Sequence, residues 1–253
     1  MHPITATIFA AATLCAVSST AFSAPASCMS TSGAELTPVL ELYTSEGCSS
    51  CPPADQWASS LKGKDLVVQA FHVGYWDYIG WVDRFAAPAY TQRQREIAAR
   101  NHLGNIYTPQ VVLNGQDWSG WRRSPVPRPS EAARAGITLQ QKEQDQFEAS
   151  VMPLATAQSR RLPASWSAYW TVTEHDHNSS VQAGENAGEF LKHDFVVRQY
   201  IQAGNYKTDA TAAQKLTFRS IAVTPGHPRK INLVVFDTQS GQTLQALSLQ
   251  CPA

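Results

Sequence analysis

The chain has 253 residues, 43% of them hydrophobic, which supplies enough apolar surface for one large core or two modest ones. Lys plus Arg and Asp plus Glu number 20 each, and charged residues make up only 16% of the chain. No net field therefore recommends nucleic acid, anionic lipid or a polyanionic substrate as a partner.

The first element is a short apolar run, "ITATIFAAATLCAV" from Ile4 to Val17. It is too short to span a bilayer as a stable helix. Small residues follow, and Ala21 and Ser23 place a signal-peptidase cut before Ala24. Residues 1–23 are expected to be an export signal, leaving a periplasmic or secreted protein with no stable membrane span. The pattern is incomplete, because the first Lys or Arg is Lys62. Cys15 would leave with the signal. Cys28, Cys48, Cys51 and Cys251 remain, an even count in an oxidising compartment. The close pair takes itself, which leaves Cys28 and Cys251 to tie the mature start to its end. Two free thiols, or an intermolecular bridge through Cys28, are the rival outcomes.

Pro38 to Ser45 alternates as a strand does, and a helix follows in "PADQWASSLKG" with Ala54, Trp57, Ala58 and Leu61 on one face. Leu66 to Val73 is a nearly continuous apolar run, the mark of a buried parallel strand. An aromatic loop, "GYWDYIGWVDRFAAP", leads into a polar helix over Ala89 to His102. A strand at Gln110 to Leu113 and the Asn114-Gly115 turn predict a hairpin. A Pro-rich connector and a polar helix over Ser130 to Val151 are expected next. From Pro153 onward, short β-like runs separated by Gly, Asn and Pro predict an antiparallel, sandwich-like unit.

The stretch that carries chemistry is "TSEGCSSCPPAD", Thr44 to Asp55. It sets a Cys-x-x-Cys between a strand and a helix N-terminus, whose partial positive end favours a thiolate. Cys48 is expected to be the more exposed cysteine and the nucleophile, and Cys51 the resolving thiol. Pro52 and Pro53 fit a first helical turn, where a missing N–H costs least. Asp55 is either a proton relay for Cys51 or an ordinary first-turn carboxylate. Pro109, before its strand, is expected to be cis and to position substrate beside the cysteines, with Thr108 and Tyr107 offering backbone groups.

Four stretches, "LELYTSEGCSSCPPAD", "FHVGYWDYIGWVDRFAAPAYTQRQ", "YTPQVVLNG" and "GENAGEFLKHDFVVR", together resemble a family of exported bacterial proteins of unknown function. The resemblance covers most of the mature chain. It implies an α/β thioredoxin-like fold for the N-terminal part and a candidate dithiol at Cys48 and Cys51 with Pro109 beside it, but no activity. The sequence departs from thioredoxins proper in having Gly47, not tryptophan, before the first cysteine, and Ser49-Ser50 inside the pair.

Taken together, these readings predict a thioredoxin-like domain at 36–151 and an antiparallel β-sandwich-like domain at 152–253. The leading function is a thiol–disulfide oxidoreductase acting on protein or small-molecule thiols and disulfides, with an unknown redox partner and no cofactor. The alternatives are a copper- or zinc-binding chaperone using Cys48, Cys51 and His72, and a non-catalytic binding protein in which the pair is a structural disulfide. His72 otherwise reads as a hydrogen-bonded strand end, His175 and His177 as loop residues, and Asp77 and Asp83 as anchors of the aromatic loop. That loop either packs as a lid or lines a groove. His193, Asp194 and Arg198 read as a polar turn before a strand. No hydrolase elbow, phosphate-cradling loop or HExxH is present.

Overall fold

The run from Val39 to Thr44 is buried along its whole length because each of its faces meets a helix. The computed structural model describes residues 28–155, 162–209 and 211–251, so the expected signal at 1–23 lies outside the described residues. In chain order the elements are β1 (Met29–Thr31), β2 (Val39–Thr44), α1 (Pro52–Ser59), β3 (Val67–His72), α2 (Pro88–Arg100), β4 (Gln110–Leu113), β5 (Gln116–Asp117), β6 (Ala135–Glu143), β7 (Gln146–Pro153), β8 (Ser165–Glu174), β9 (His177–Ser180), β10 (Phe190–His193), β11 (Val196–Lys207), β12 (Gln214–Arg219), β13 (Arg229–Asp237) and β14 (Thr243–Leu249).

An eight-stranded sheet in the order β14-β13-β8-β11-β3-β2-β4-β5 organises the molecule. Only the β2–β3 and β3–β11 pairs are parallel. On one face of β2, Leu40 and Leu42 pack with Ala54, Ala58 and Leu61 of the α1 segment. On the other face Tyr43 packs with Tyr90 and Ile97 of α2. A four-stranded sheet, β1-β6-β7-β12, covers the opposite end of the large sheet. There Ile137, Leu139, Phe147 and Phe218 meet Trp166, Trp170, Leu233 and Val235 in the largest apolar core.

This architecture overturns the expected division into an α/β thioredoxin-like domain and a separate antiparallel sandwich. The chain is predominantly β, with two α-helices among the described residues. Strands from before and after residue 151 share both sheets, and that expected boundary falls inside β7. The physical reason is β11. β11 lies between β3 and β8: Val196 pairs in parallel with Ala70 of β3 on one side, and from Val196 onward the strand runs antiparallel to β8 on the other, so the apolar edge of one half is covered by the other.

The polar helix expected over Ser130 to Val151 is instead the β6–β7 hairpin. Its buried residues, Ile137 and Leu139 on one strand and Phe147, Ala149 and Val151 on the other, recur with a period of two, and the polar residues between them face solvent or the hairpin tip. Among the described residues no helix is long and apolar enough to cross a membrane.

Candidate functional site

Thr44 ends β2, and the chain turns through Ser45–Cys48 with the Cys48 N–H donating to the Ser45 carbonyl at 3.2 Å. A second turn carries the Cys51 N–H to the Cys48 carbonyl at 3.1 Å, and Cys51 caps α1 without a side-chain hydrogen bond. Pro52 and Pro53 open the helix. They suit its first turn but give no N–H groups to a nearby sulfur, so the helix acts on the cysteines mainly through its dipole.

Cys48 and Cys51 are joined in a disulfide, with Cα atoms 5.4 Å apart. Cys48 Sγ also lies 3.4 Å from the Ser50 hydroxyl. Ser49 and Ser50 are exposed, but Cys48 is only 1% exposed and Cys51 is fully buried. Cys48 is expected to be more accessible than Cys51, but in the disulfide form both are buried, because two loops cover the turn.

The first cover is the aromatic loop after β3. Trp76 packs so closely on Gly47 that a Cβ there would sit 2.9 Å from Trp76 Cβ, which explains why glycine precedes the first cysteine. Trp76 donates its indole N–H to the Thr108 hydroxyl at 2.8 Å, and Trp81 donates to Glu46 Oε2 at 2.7 Å. Asp83 accepts from the N–H groups of Glu46 and Phe85, and Asp77 accepts from the N–H of Asp83. The loop packs as a lid through its tryptophans and presents Tyr78 and Val82 outward.

The second cover is the loop joining β9 and β10. Asn186, 5% exposed, donates from Nδ2 to the carbonyls of both Glu46 (2.8 Å) and Cys48 (3.0 Å). The Ser49 N–H donates to Glu185 Oε2 at 2.9 Å. These contacts went unread in the sequence. Their only signal was the polar "GENAGEF" stretch among the motifs that carry the family resemblance.

Pro109 follows a cis peptide bond from Thr108. Tyr43 of β2 lies opposite Gln110 of β4 in an antiparallel pair, so the cysteine turn and Pro109 leave the sheet at the same end. Thr108 has its hydroxyl engaged by Trp76. Tyr107 donates its hydroxyl to Asp117 at 2.8 Å, and burial together with that carboxylate pushes the phenol up.

Behind the cysteines lies a buried group of five ionisable side chains, Glu46, Asp55, His72, Asp83 and His193. His72 Nδ1 is 2.7 Å from Asp83 Oδ2. Burial lowers the affinity of His72 for its proton, but the Asp83 charge and hydrogen bond outweigh it and raise the pKa above its ordinary value of 6.5. Asp83 is held below its ordinary 3.8: burial pushes it up, and the His72 charge and backbone N–H bonds more than offset this. Burial raises Asp55, although Thr44 donates a hydrogen bond to it at 2.9 Å. Glu46 is lowered, the contacts with His193 and Trp81 overcoming its burial and the neighbouring Asp83 charge. His193 Nε2 stands 3.2 Å from Glu46 Oε1 but outside hydrogen-bond alignment, and both His193 nitrogens and His72 Nε2 have no partner.

The metal set Cys48, Cys51 and His72 is not assembled. The sulfurs are bonded to each other, His72 Nδ1 is taken by Asp83, and among the described residues no group of three or more His, Cys, Asp or Glu is placed to hold a metal ion. His175 does lie in the turn between β8 and β9, though buried, whereas His177 is a strand residue. His177 lies buried in β9 opposite His193 and stacks on His227 with ring centroids 3.8 Å apart, and His175 lies 3.4 Å from Asp194. Arg198 reaches Glu174 at 3.4 Å. The bridge between Cys28 and Cys251 packs on the large core, far along the sheet from this site.

Fold and site together define a β-rich protein with a covered Cys-x-x-Cys disulfide at the end of a mixed sheet. The chain belongs to the family described as protein of unknown function (DUF1223), which matches residues 39–236, and this is the unknown-function family its motifs resemble. Among solved structures it is similar to protein AGR_C_4864 from Agrobacterium tumefaciens, at 20% identity and a TM-score of 0.62, over 87% of this chain and 96% of that one. It is also similar to HBP35 of Porphyromonas gingivalis, at 14% identity and a TM-score of 0.54, over 85% of this chain and 75% of that one. At these identities the likeness is one of fold. No curated protein matches the chain.

Proposed function

We propose that this is an exported thiol–disulfide oxidoreductase in which Cys48 and Cys51 exchange with protein or small-molecule thiols and disulfides. The observation that carries the reading is the Cys48–Cys51 disulfide itself, closed across the two-residue turn between β2 and the N-terminus of α1. In the oxidising direction a substrate thiolate attacks Cys48 Sγ, the S–S bond breaks, and Cys51 leaves as a thiolate at the positive end of α1. A second substrate thiolate then attacks the mixed disulfide and releases Cys48. Two electrons pass from the substrate to the pair, which ends as a dithiol, and the reverse sequence reduces a substrate disulfide.

The 1% exposure of Cys48 favours a second reading, a structural disulfide that never exchanges. One experiment separates them. The reduction potential of the pair is measured against glutathione, alongside insulin reduction by wild type and Cys48→Ser. An oxidoreductase equilibrates with the glutathione couple and loses turnover in Cys48→Ser. A staple stays oxidised in a strongly reducing buffer and shows no turnover in either form.

A further inference from the structure

We propose that Glu185 and Asn186, at the tip of the β9–β10 loop, form a latch that holds the Cys48–Cys51 disulfide closed to attack. The proposal rests on reading that pair as one that exchanges, and it names what regulates the exchange.

The geometry is specific. Asn186 comes from 138 residues away in sequence, and its single Nδ2 bonds the carbonyls on both sides of Gly47. A buried carboxamide with both donors used on the segment that ends in Cys48 fixes that segment's path. Glu185 takes the Ser49 N–H, inside the cysteine pair. That bond lowers the Glu185 carboxyl from its ordinary value, so the group carries its charge at neutral pH. It thus places a negative charge on the turn between the two cysteines and removes an amide that would otherwise be free to stabilise a Cys48 thiolate.

The latch also interlocks with the aromatic loop. Gly184 has φ +78°, and a Cβ on it would stand 3.1 Å from Ile79 Cδ1. Behind the tip, the β9–β10 ladder from His177↔His193 to Ser180↔Phe190 holds the loop's two ends together. Attack on a disulfide needs a thiolate in line with the S–S bond, and at 1% exposure Cys48 offers no such line until the latch opens. The exposed residues on either side of Asn186 and the short ladder behind them leave this part of the cover little to give up on opening.

The test uses the full oxidised chain and dithiothreitol, with thiols trapped by maleimide over time and the two disulfides followed separately by peptide mass spectrometry. Asn186→Ala is expected to speed reduction of Cys48–Cys51 about tenfold, the factor given by losing hydrogen bonds worth a little over 1 kcal/mol in all. Glu185→Gln, at an exposed position that leaves the fold intact, is expected to speed it by a smaller factor. Cys28–Cys251 serves as the internal control and keeps its wild-type rate, as does Cys48–Cys51 in Gln182→Ala. Rates for Cys48–Cys51 within twofold of wild type in both latch variants overturn the proposal, and so does equal acceleration of both disulfides. The outcome is independent of insulin turnover. Faster reduction without turnover keeps the latch and removes the oxidoreductase reading, whereas turnover with unchanged reduction rates removes the latch alone.

Discussion

Val196 lies beside Ala70 in parallel register, and the Ala70 N–H donates to the Phe195 carbonyl at 2.8 Å. Through this short ladder the sheet half that carries the cysteines continues into the half built from β8, β13 and β14. Tyr200, further along β11, touches the core on α2 and the core around Tyr169. The two halves are therefore expected to unfold as one unit. Trp57 and Trp121 report on the α1 side, and Trp166 and Trp170 on the sandwich side. Single-tryptophan variants of each group should give coincident denaturant transitions. Two midpoints separated by more than their errors would show two independent domains.

Arg93 makes two bonds to Glu41 across the α2 face, Nε to Oε2 at 2.8 Å and NH2 to Oε1 at 2.6 Å. Tyr43 and Tyr169 donate their hydroxyls to the same carboxylate, and the guanidinium stacks 3.9 Å above the Tyr169 ring. Both charged groups are almost fully buried. Arg93→Met leaves Glu41 as an unpaired buried charge and is expected to cost about 3–5 kcal/mol in urea unfolding. Adding Glu41→Gln removes that charge and should recover a large part of the loss. A single variant that costs under about 1 kcal/mol would mean that water reaches Glu41.

The His72–Asp83 pair sets a pH window. The His72 pKa is raised above 6.5 in the fold, so its contribution to stability is complete below 6.5 and is lost as pH rises through the raised value. Asp83 is held below 3.8, so its contribution is present above 3.8 and is lost as pH falls through the lowered value. Glu46, Asp55, Asp83 and His193 all face His72, and the three carboxylates favour its protonated form. The Tm difference between wild type and His72→Gln is expected to be largest at about pH 6 and to shrink toward about pH 9. A difference that grows with rising pH would show that His72 is buried neutral.

The parts of this molecule that could be read from sequence are those whose signal is local. The apolar runs at Val39–Thr44 and Val67–His72, the proline pair opening α1 and the Asn114-Gly115 turn each act within a few residues. The β6–β7 hairpin was missed because Gln140 to Gln146 is polar enough to mask the alternation of Ile137 with Leu139 and of Phe147 with Ala149. The sheet shared by the two halves is not legible because β11 sits between β3 on one side and β8 on the other, and no local pattern encodes that. At the site the cysteines and Pro109 were legible as residue types in a spacing. The burial of Cys48 was not, because it depends on Trp76 folding back over Gly47 and on Asn186 brought in from the far side of the chain.

The Cys28–Cys251 bridge closes 223 residues of sequence, with Cα atoms 5.6 Å apart. Chain-entropy reasoning gives about 4.7 kcal/mol for a 100-residue loop and only slightly more for longer ones. The gain here is expected to be smaller, because other contacts already hold both ends. Met29–Thr31 pairs with β6, Leu36 donates its N–H to the Glu131 carbonyl, and Gln245 Nε2 reaches the carbonyls of Gly33 and Glu35. At the other end, β14 is a full edge strand paired to β13. Both sulfur-bearing residues pack on the large core, so their loss also removes some apolar contact. Cys28→Ser with Cys251→Ser is expected to lower unfolding stability by about 2–4 kcal/mol. The double variant should stay folded, with the Cys48–Cys51 disulfide intact by non-reducing peptide mapping, since neither removed cysteine touches the cover formed by Asn186 and Trp76. A loss under about 0.5 kcal/mol would mean that β1 and the Gln245 contacts alone pin the start of the described chain. Reduction of the Cys48–Cys51 pair in the double variant, or its linkage between two molecules, would instead show that the bridge protects the site by holding the sandwich end closed.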